Sequence, residues 1–434
     1  MQRLRGFSKD GITMKAPLNR RVFVIGYEAI TPLGNTFATT WQEALQGKAG
    51  FRWASKCQVD SLCSVVGEIP DWDPLELDFV DRREASNWNA EYVHLTMAAC
   101  QNALQDAGLP MDDDTGPRTA CLIGSALNGT DAFRIATDNF REQGSSRISP
   151  YLLPNLCANL PSGKASMLLG MTGPIFSPQG ACASGNHAIG AGARMIRDGD
   201  CDFVLAGGVD TCIMPEIIHG FCNMNATLKV EEGDRAYEDP SQASRPFSMD
   251  RRGMILSEGC GVVVLASEEA LSAHGLTPKA EVSGVGWTAD AFHFTLPNFA
   301  TIVRAMNMAI EDAEIAPRDI HYVNAHGTST GKGDRTEIEC LRAVFGSDLS
   351  RIPVSSNKSQ IGHTLGASAA IEAALSIEGM RQQTVLPTVN HIPDPDLADV
   401  DVVPQEARKL DCEFLLSNAF GFGGTNCCIV FKRA

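Results

Sequence analysis

The 434-residue sequence predicts an α/β protein made of two related five-strand halves, packed as a layered core of helices and sheets. Three observations carry this. Short apolar, β-branched runs alternate with helical patterns along the chain, the mark of buried, mostly parallel strands covered by helices. Five such runs fall in each half in the same order. Each half then closes with two apolar runs separated by glycine-bearing sequence: Gly207-Gly208 in the first, Gly421, Gly423 and Gly424 in the second. The joint falls near residue 268, which divides the chain into a leader (1–19), an N-terminal half (20–268) and a C-terminal half (269–434).

In the first half the strands are Arg21–Tyr27, Thr119–Gly124, Pro174–Pro178, Phe203–Ala206 and, after an insertion, Gly261–Ala266. A helix over His94–Ala107 is stopped by Gly108, a residue that tolerates the left-handed geometry of a helix end. In the second half the strands are Ala280–Val285, Ile320–Asn324, Ile352–Ser355, Phe414–Ser417 and Cys427–Phe431. Ile302, Met306, Ala309, Ile310 and Ala313 carry the 3.6-residue spacing of a helix packed on a sheet. Residues 1–19 are polar and aperiodic and contain a second methionine, Met14, so they read as a frayed leader or the trace of an alternative start.

Composition narrows the function. Hydrophobic residues make up 44% and charged residues 20%, as in an ordinary globular core. No run approaches the roughly 18 apolar residues of a membrane helix, so no membrane insertion is expected. The 36 basic and 52 acidic residues leave a net charge of −16, the wrong sign for nucleic acid or an anionic membrane. Fourteen cysteines without paired CxxC motifs argue against a zinc site, and no other cofactor motif appears. With no apolar signal segment at the start, the expected compartment is the reduced cytoplasm.

One cysteine stands apart. Cys182 lies in Gly180-Ala-Cys-Ala-Ser-Gly185, between a strand and a small-residue helix over Asn186–Arg197. Unpaired amides at a helix start favour a thiolate and can hold an oxyanion once the sulfur is acylated. The other thirteen read as small buried hydrophobes. His326 follows a strand in Asn324-Ala-His-Gly-Thr-Ser-Thr330, where it is either a reacting base or a structural hydrogen-bonder. His363 follows another in Asn357-Lys-Ser-Gln-Ile-Gly-His-Thr-Leu-Gly-Ala367, with Lys358 five residues upstream. Asp334 and Glu337 come after the His326 loop, and a Lys358–Glu337 ion pair that orients the site is favoured over proton transfer. Ligands in open α/β sheets bind beyond the carboxyl ends of strands, where all these residues fall. The loop Ser417-Asn-Ala-Phe-Gly-Phe-Gly-Gly-Thr-Asn426 lacks the Lys-Ser/Thr pair of a phosphate-binding loop and fits a mobile backbone with an aromatic flap.

Ala-Cys-Ala-Ser-Gly, His-Gly-Thr-Ser-Thr, Asn-Lys-Ser…Gly-His and Gly-Phe-Gly-Gly-Thr-Asn, in this order, resemble the β-ketoacyl-acyl-carrier-protein synthases of the thiolase superfamily, type II elongating enzymes. The resemblance runs from about Arg21 to Lys432. It implies paired thiolase-like halves, a homodimer (or a heterodimer with a related subunit) and acyl- and malonyl-loaded acyl carrier protein as partner. Cys182 would take the acyl group, and His326 and His363 would promote malonyl decarboxylation. Lys358 with Glu337 would keep the pair placed, with Asp334 in support. The amides of Cys182 and Phe422 would form the oxyanion hole, and Phe422, between Gly421 and Gly423, would gate the acyl pocket. Thr328, Thr330, His293 and Thr295 would line the pantetheine and malonyl channel.

The same residues weigh against two relatives. A CoA-dependent thiolase would carry a second cysteine in the last loop, where this chain has Phe420-Gly-Phe-Gly-Gly. A non-catalytic partner subunit would lack Cys182. Departures from the family lie at the expected carrier-docking face: Arg82 and Arg83 remain, with Arg147 and Lys229, but Asn225 replaces an arginine. Met254 stands where phenylalanine is usual, and Ala126–Asp131 is more polar than the family's glycine-rich version. These point to a specialised polyketide, polyene or lipid pathway as readily as to fatty-acid synthesis. Trp88, beside Arg82–Asn89, is expected either to pack in the core or to supply an apolar docking contact.

Overall fold

The computed structural model describes residues 20–59 and 62–434; the leader proposed for 1–19 lies outside the described residues. Ten strands form one mixed sheet: β1 (Val22–Ile30), β2 (Thr119–Gly124), β3 (Ile175–Phe176), β4 (Phe203–Asp210), β5 (Gly259–Ser267), β6 (Ala280–Ala289), β7 (Tyr322–Asn324), β8 (Val354–Ser355), β9 (Phe414–Gly421) and β10 (Thr425–Arg433). Their spatial order is β8-β7-β9-β10-β6-β1-β5-β4-β2-β3. Within each half the order is therefore third, second, fourth, fifth, first. The halves meet where β1 pairs with β6 through Phe23–Glu281 and Val24–Ala280, so two expected sheets are joined edge to edge.

Parallel pairing is confined to the outer strands: β2 with β3 and β4, and β7 with β8 and β9. The centre, from β4 through β5, β1, β6 and β10 to β9, is antiparallel. The mostly parallel sheet expected from sequence is corrected here. Continuous apolar runs follow from both faces being covered, and covered antiparallel strands read the same way as covered parallel ones.

Seven helices matter for the site: α1 (Arg82–Asn87), α2 (Glu91–Ala107), α3 (Thr130–Gln143), α4 (Ser184–Asp198), α5 (Phe299–Asp312), α6 (Gly331–Phe345) and α7 (Ser368–Arg381). Alternate strand residues face opposite layers. Val22, Val24, Leu122, Val204 and Leu265 of the first half, with Val282, Leu415 and Ile429 of the second, pack on α4 and α7 in a shared central core. Phe23, Ile25, Cys121 and Val264 face outward onto α2. Val323, Leu416 and Val430 face outward onto α5 and α6. The result is the layered α/β core expected, with α4 and α7 as its middle layer. They pack so closely that a Cβ added to Gly185 would stand 2.6 Å from the Ala370 nitrogen. No helix among the described residues is long and apolar enough to cross a membrane.

Candidate active site

The strand ends of both halves open on one cavity of about 360 Å³, lined among others by Cys182, His326, His363, Thr328 and Phe422. Cys182 sits on a turn before α4 in which Ala181 adopts φ 49°, a left-handed conformation uncommon for alanine. The backbone amides of Phe422 and Cys182 itself are directed at its sulfur. The tip of the β9–β10 hairpin holds that arrangement: Thr425 Oγ1 donates to the Gly180 carbonyl at 2.7 Å. Gly421 passes so close that a Cβ there would lie 2.4 Å from the Gly180 oxygen and 3.2 Å from the Cys182 nitrogen. Gly423 donates to the Phe294 carbonyl at 2.8 Å.

The resting sulfur is a thiol, against the thiolate that the helix start suggested. Burial pushes its pKa up to about 11, and the Lys358 charge and the two amides only partly offset the desolvation. Acylation therefore requires the proton to leave as the carbonyl is attacked, and the amides then stabilise charge that forms on the substrate oxygen.

His326 and His363 lie with ring centroids 5.5 Å apart and planes 84° to each other. Burial lowers both well below the ordinary histidine value; Lys358 lowers both further, and His363 adds to the effect on His326. His363 is held through Nδ1, 3.0 Å from Ser368 Oγ, and its backbone N–H donates to Ile255 at 2.8 Å. His326 is edge-on to Phe420, with centroids 5.5 Å apart. Its loop is fixed by Glu337, whose two oxygens accept from the His326 and Gly327 amides at 2.8 Å each. Asp334 accepts from the Phe247 amide at 2.8 Å, and burial pushes its pKa up to about 7. It braces the loop from behind, outside the cavity lining.

The expected Lys358–Glu337 ion pair does not form. Lys358 Nζ donates to Glu372 Oε1 on α7 at 2.5 Å, both residues fully buried, while Glu337 spends its oxygens on amides and on Asn418 at 3.1 Å. Glu372 was detectable as a lone acid within Ala369-Ala-Ile-Glu-Ala-Ala-Leu375, the apolar face of a helix.

Thr328 and Thr330 both line the cavity and share a hydroxyl hydrogen bond of 2.9 Å; Thr295 lines it too. His293 does not. It is exposed, and its Nδ1 accepts from the Thr295 and Leu296 amides at 3.1 and 3.2 Å, so it caps a turn outside the lining. Phe422 stands between Phe221 and Phe294, with centroids 6.2 and 6.1 Å away, two neighbours that the sequence did not single out. Phe422→Ala is expected to change the relative acylation rates of short and long donors while leaving malonyl decarboxylation intact, because the side chain is the barrier and the backbone amide is retained. Parallel single-turnover assays check this; an equal fall for every donor, with decarboxylation lost, would make the hairpin purely structural.

At the expected docking face Arg82, Arg83 and Arg147 are exposed, while Lys229 donates to Asn225 at 2.8 Å. Trp88 is half-buried: it packs against the α2 core, meets Tyr151 edge-on at 5.2 Å and carries the Lys164 ammonium over its ring at 4.7 Å. Among the described residues no cluster of His, Cys, Asp or Glu has the arrangement of a metal site.

Comparison with known proteins agrees with this geometry. Residues 19–270 match the β-ketoacyl synthase N-terminal domain and 279–391 the C-terminal domain. The chain is 36% identical over 419 residues to 3-oxoacyl-[acyl-carrier-protein] synthase 2 of Staphylococcus aureus, covering 96% of this chain and 99% of that one. Against the protein of the same name from Synechocystis it is 35% identical, covering 95% and 98%. A β-ketoacyl synthase from Burkholderia phymatum superposes with a TM-score of 0.87 at 31% identity, covering 96% of this chain and all of that one. A type II PKS acyl-carrier protein in complex with its ketosynthase bound to the hexaketide gives 0.87 at 27% identity with the same coverage. With a cysteine under two amides and a perpendicular histidine pair at the meeting point of two like-ordered half-sheets, the chain belongs to the β-ketoacyl synthase family of acyltransferases.

Proposed function

We propose that the protein catalyses decarboxylative Claisen condensation of an acyl thioester with a malonyl thioester, both delivered by acyl carrier protein. The observation that carries this is the convergence, in one cavity, of the Cys182 sulfur beneath two amides with two neutral histidines. Cys182 attacks the acyl carbonyl, and its proton leaves with the departing carrier thiolate. Malonyl decarboxylation then releases CO₂ and leaves an enolate, whose oxygen His326 and His363 stabilise. The enolate carbon attacks the acyl-cysteine carbonyl in the second amide-lined step, and the Cys182 sulfur departs and takes up one proton. Burial keeps the histidines neutral and the charge of Lys358, paired with Glu372, adds to it; Glu337 and Asp334 hold the His326 loop. Product analysis tests the reaction: acyl and malonyl carrier protein should yield one 3-oxoacyl carrier protein and one CO₂. Free CO₂ without a lengthened chain would leave only a decarboxylase.

The lowered histidine pKa values set a pH signature. Because the charged form is disfavoured, acid must fall well below the ordinary value of about 6.5 before either ring protonates. Malonyl decarboxylation should therefore show no inflection near pH 6.5, and its acid limb should lie lower. An inflection at the free-histidine value would mean that water reaches the rings in the working enzyme.

The working form is proposed to be a cytoplasmic homodimer. Strand β3 ends the sheet with Ile175 and Phe176 exposed at 38% and 41%, an unpaired edge of the kind that a second copy covers. For the carrier protein, a net charge of −16 leaves association to local basic residues, each exposed pair worth about 0–1 kcal/mol. A carrier whose recognition helix is less acidic or more apolar is proposed as the cognate partner. Arg83→Ala should raise KM at low salt more than at high salt, and Trp88→Ala should raise it for the cognate carrier at both. A generic acidic carrier that works better, with both variants silent, would overturn the specialised-partner reading and leave the chemistry intact. The pathway, fatty-acid or specialised, follows from which carrier that is.

A further inference from the structure

We propose, resting on the reading that the cavity takes thioesters on a phosphopantetheine arm, that Lys332 binds the arm's phosphodiester. Among the residues that line the cavity, the acids are Asp290 and Glu337, and Lys332 is the one lysine or arginine. Both acids are buried and engaged: Glu337 by the His326 and Gly327 amides, Asp290 by Asn426 Nδ2 at 2.6 Å and the Asn298 amide at 3.2 Å. Lys332 is exposed, and among the described residues its ammonium has no ion pair or hydrogen-bond partner. It stands in the first turn of α6, directly beyond Thr330, so the two threonine hydroxyls lie on the chain between it and His326.

That placement matches an elongated substrate in order: reacting thioester at the histidines, polar amide-bearing arm past the threonines, anion at the mouth. An anion approaching this acidic protein meets a repulsive overall field, and a single unpaired ammonium at the entrance reverses it locally. Lysine acts on phosphate as a point charge and needs no fixed fork geometry. Gly331 and Gly333 flank it, and a Cβ at Gly331 would meet nothing within 4 Å, which leaves the lysine stem room to follow the ligand. The chemistry fits the arm of a carrier protein and the corresponding part of coenzyme A alike.

Acylation of Cys182 by free acyl-phosphopantetheine and by acyl-pantetheine, which lacks the phosphate, separates this contact from all others. At low ionic strength Lys332→Ala should lower kcat/KM for the phosphorylated donor about threefold and Lys332→Glu about tenfold, through KM, with the effect shrinking in salt. Lys332→Arg should retain activity near that of the native protein. The phosphate-free donor should be indifferent to all three. Acyl carrier protein and acyl-CoA, run alongside, should show the same sensitivity, and their relative kcat/KM with the native protein identifies which source delivers the arm. An equal fall with the phosphate-free donor, or no fall with the phosphorylated one, would overturn the proposal. So would a fall confined to carrier protein, which would place Lys332 against the carrier's surface instead. If no thioester acylates Cys182, the proposed function itself fails.

Discussion

Cys182→Ala is expected to abolish condensation while leaving malonyl decarboxylation measurable. The nucleophile carries the acyl group between two half-reactions, and without it no covalent intermediate can wait for the enolate. The histidine pair does not depend on the sulfur: His363 is fixed by Ser368 and the Ile255 carbonyl, and His326 by Glu337. Alanine also removes little volume from a residue that is 8% exposed, so the fold should persist. Quantifying CO₂ release and 3-oxoacyl product in the same reaction checks both halves. Product formation at the native rate would remove Cys182 from its role.

Lys358→Met should have the largest effect on both stability and decarboxylation. It leaves the Glu372 carboxylate buried without its partner at 2.5 Å, and breaking a buried pair from one side costs about 3–5 kcal/mol. Replacing both partners by apolar residues is often neutral, so Lys358→Met combined with Glu372→Leu should recover most of the lost stability in urea unfolding. It should not recover decarboxylation. The ammonium charge that adds to burial in keeping both histidines neutral is absent from both variants, so the acid limb of decarboxylation should move to higher pH in both. A double variant that is both stable and fully active would reduce Lys358 to packing.

Much of the site was legible because its residues announce themselves locally. Cys182 lies in a run of small residues between a strand and a helix, and His326 and His363 each follow an apolar strand in a polar, glycine-bearing loop. What stayed hidden depends on contacts between distant segments. Glu372 is fourteen residues from Lys358, on a helix whose apolar pattern otherwise says core. Glu337, shortly after the His326 loop, looked the better partner because sequence does not reveal that two amides already occupy its oxygens. Phe221 and Phe294 meet Phe422 only in three dimensions. His293 carries a residue type common in channels, but a local turn claims its ring nitrogen.

The fold divides in the same way. Thr119–Gly124 appears residue for residue as β2, since burial on both faces writes a continuous apolar run. The direction of the central strands did not show, because pairing partners are set by where the chain returns. Helix α2 begins at Glu91 instead of His94 because its first turn is capped from elsewhere: Asp131 accepts from the Glu91 amide at 2.9 Å and Asn155 from the Ala90 amide at 3.4 Å. A cap supplied from some forty residues away leaves no local signature.

Cys182 alone should carry the acyl group, and intact-mass spectrometry of the protein after incubation with acyl carrier protein reads this out without any coupled step. The expected result is a gain of one acyl group per chain, mapped by peptide analysis to Cys182 and absent from Cys182→Ala. No gain across donors of differing length and unsaturation, or the acyl group found on another of the fourteen cysteines, would contradict it.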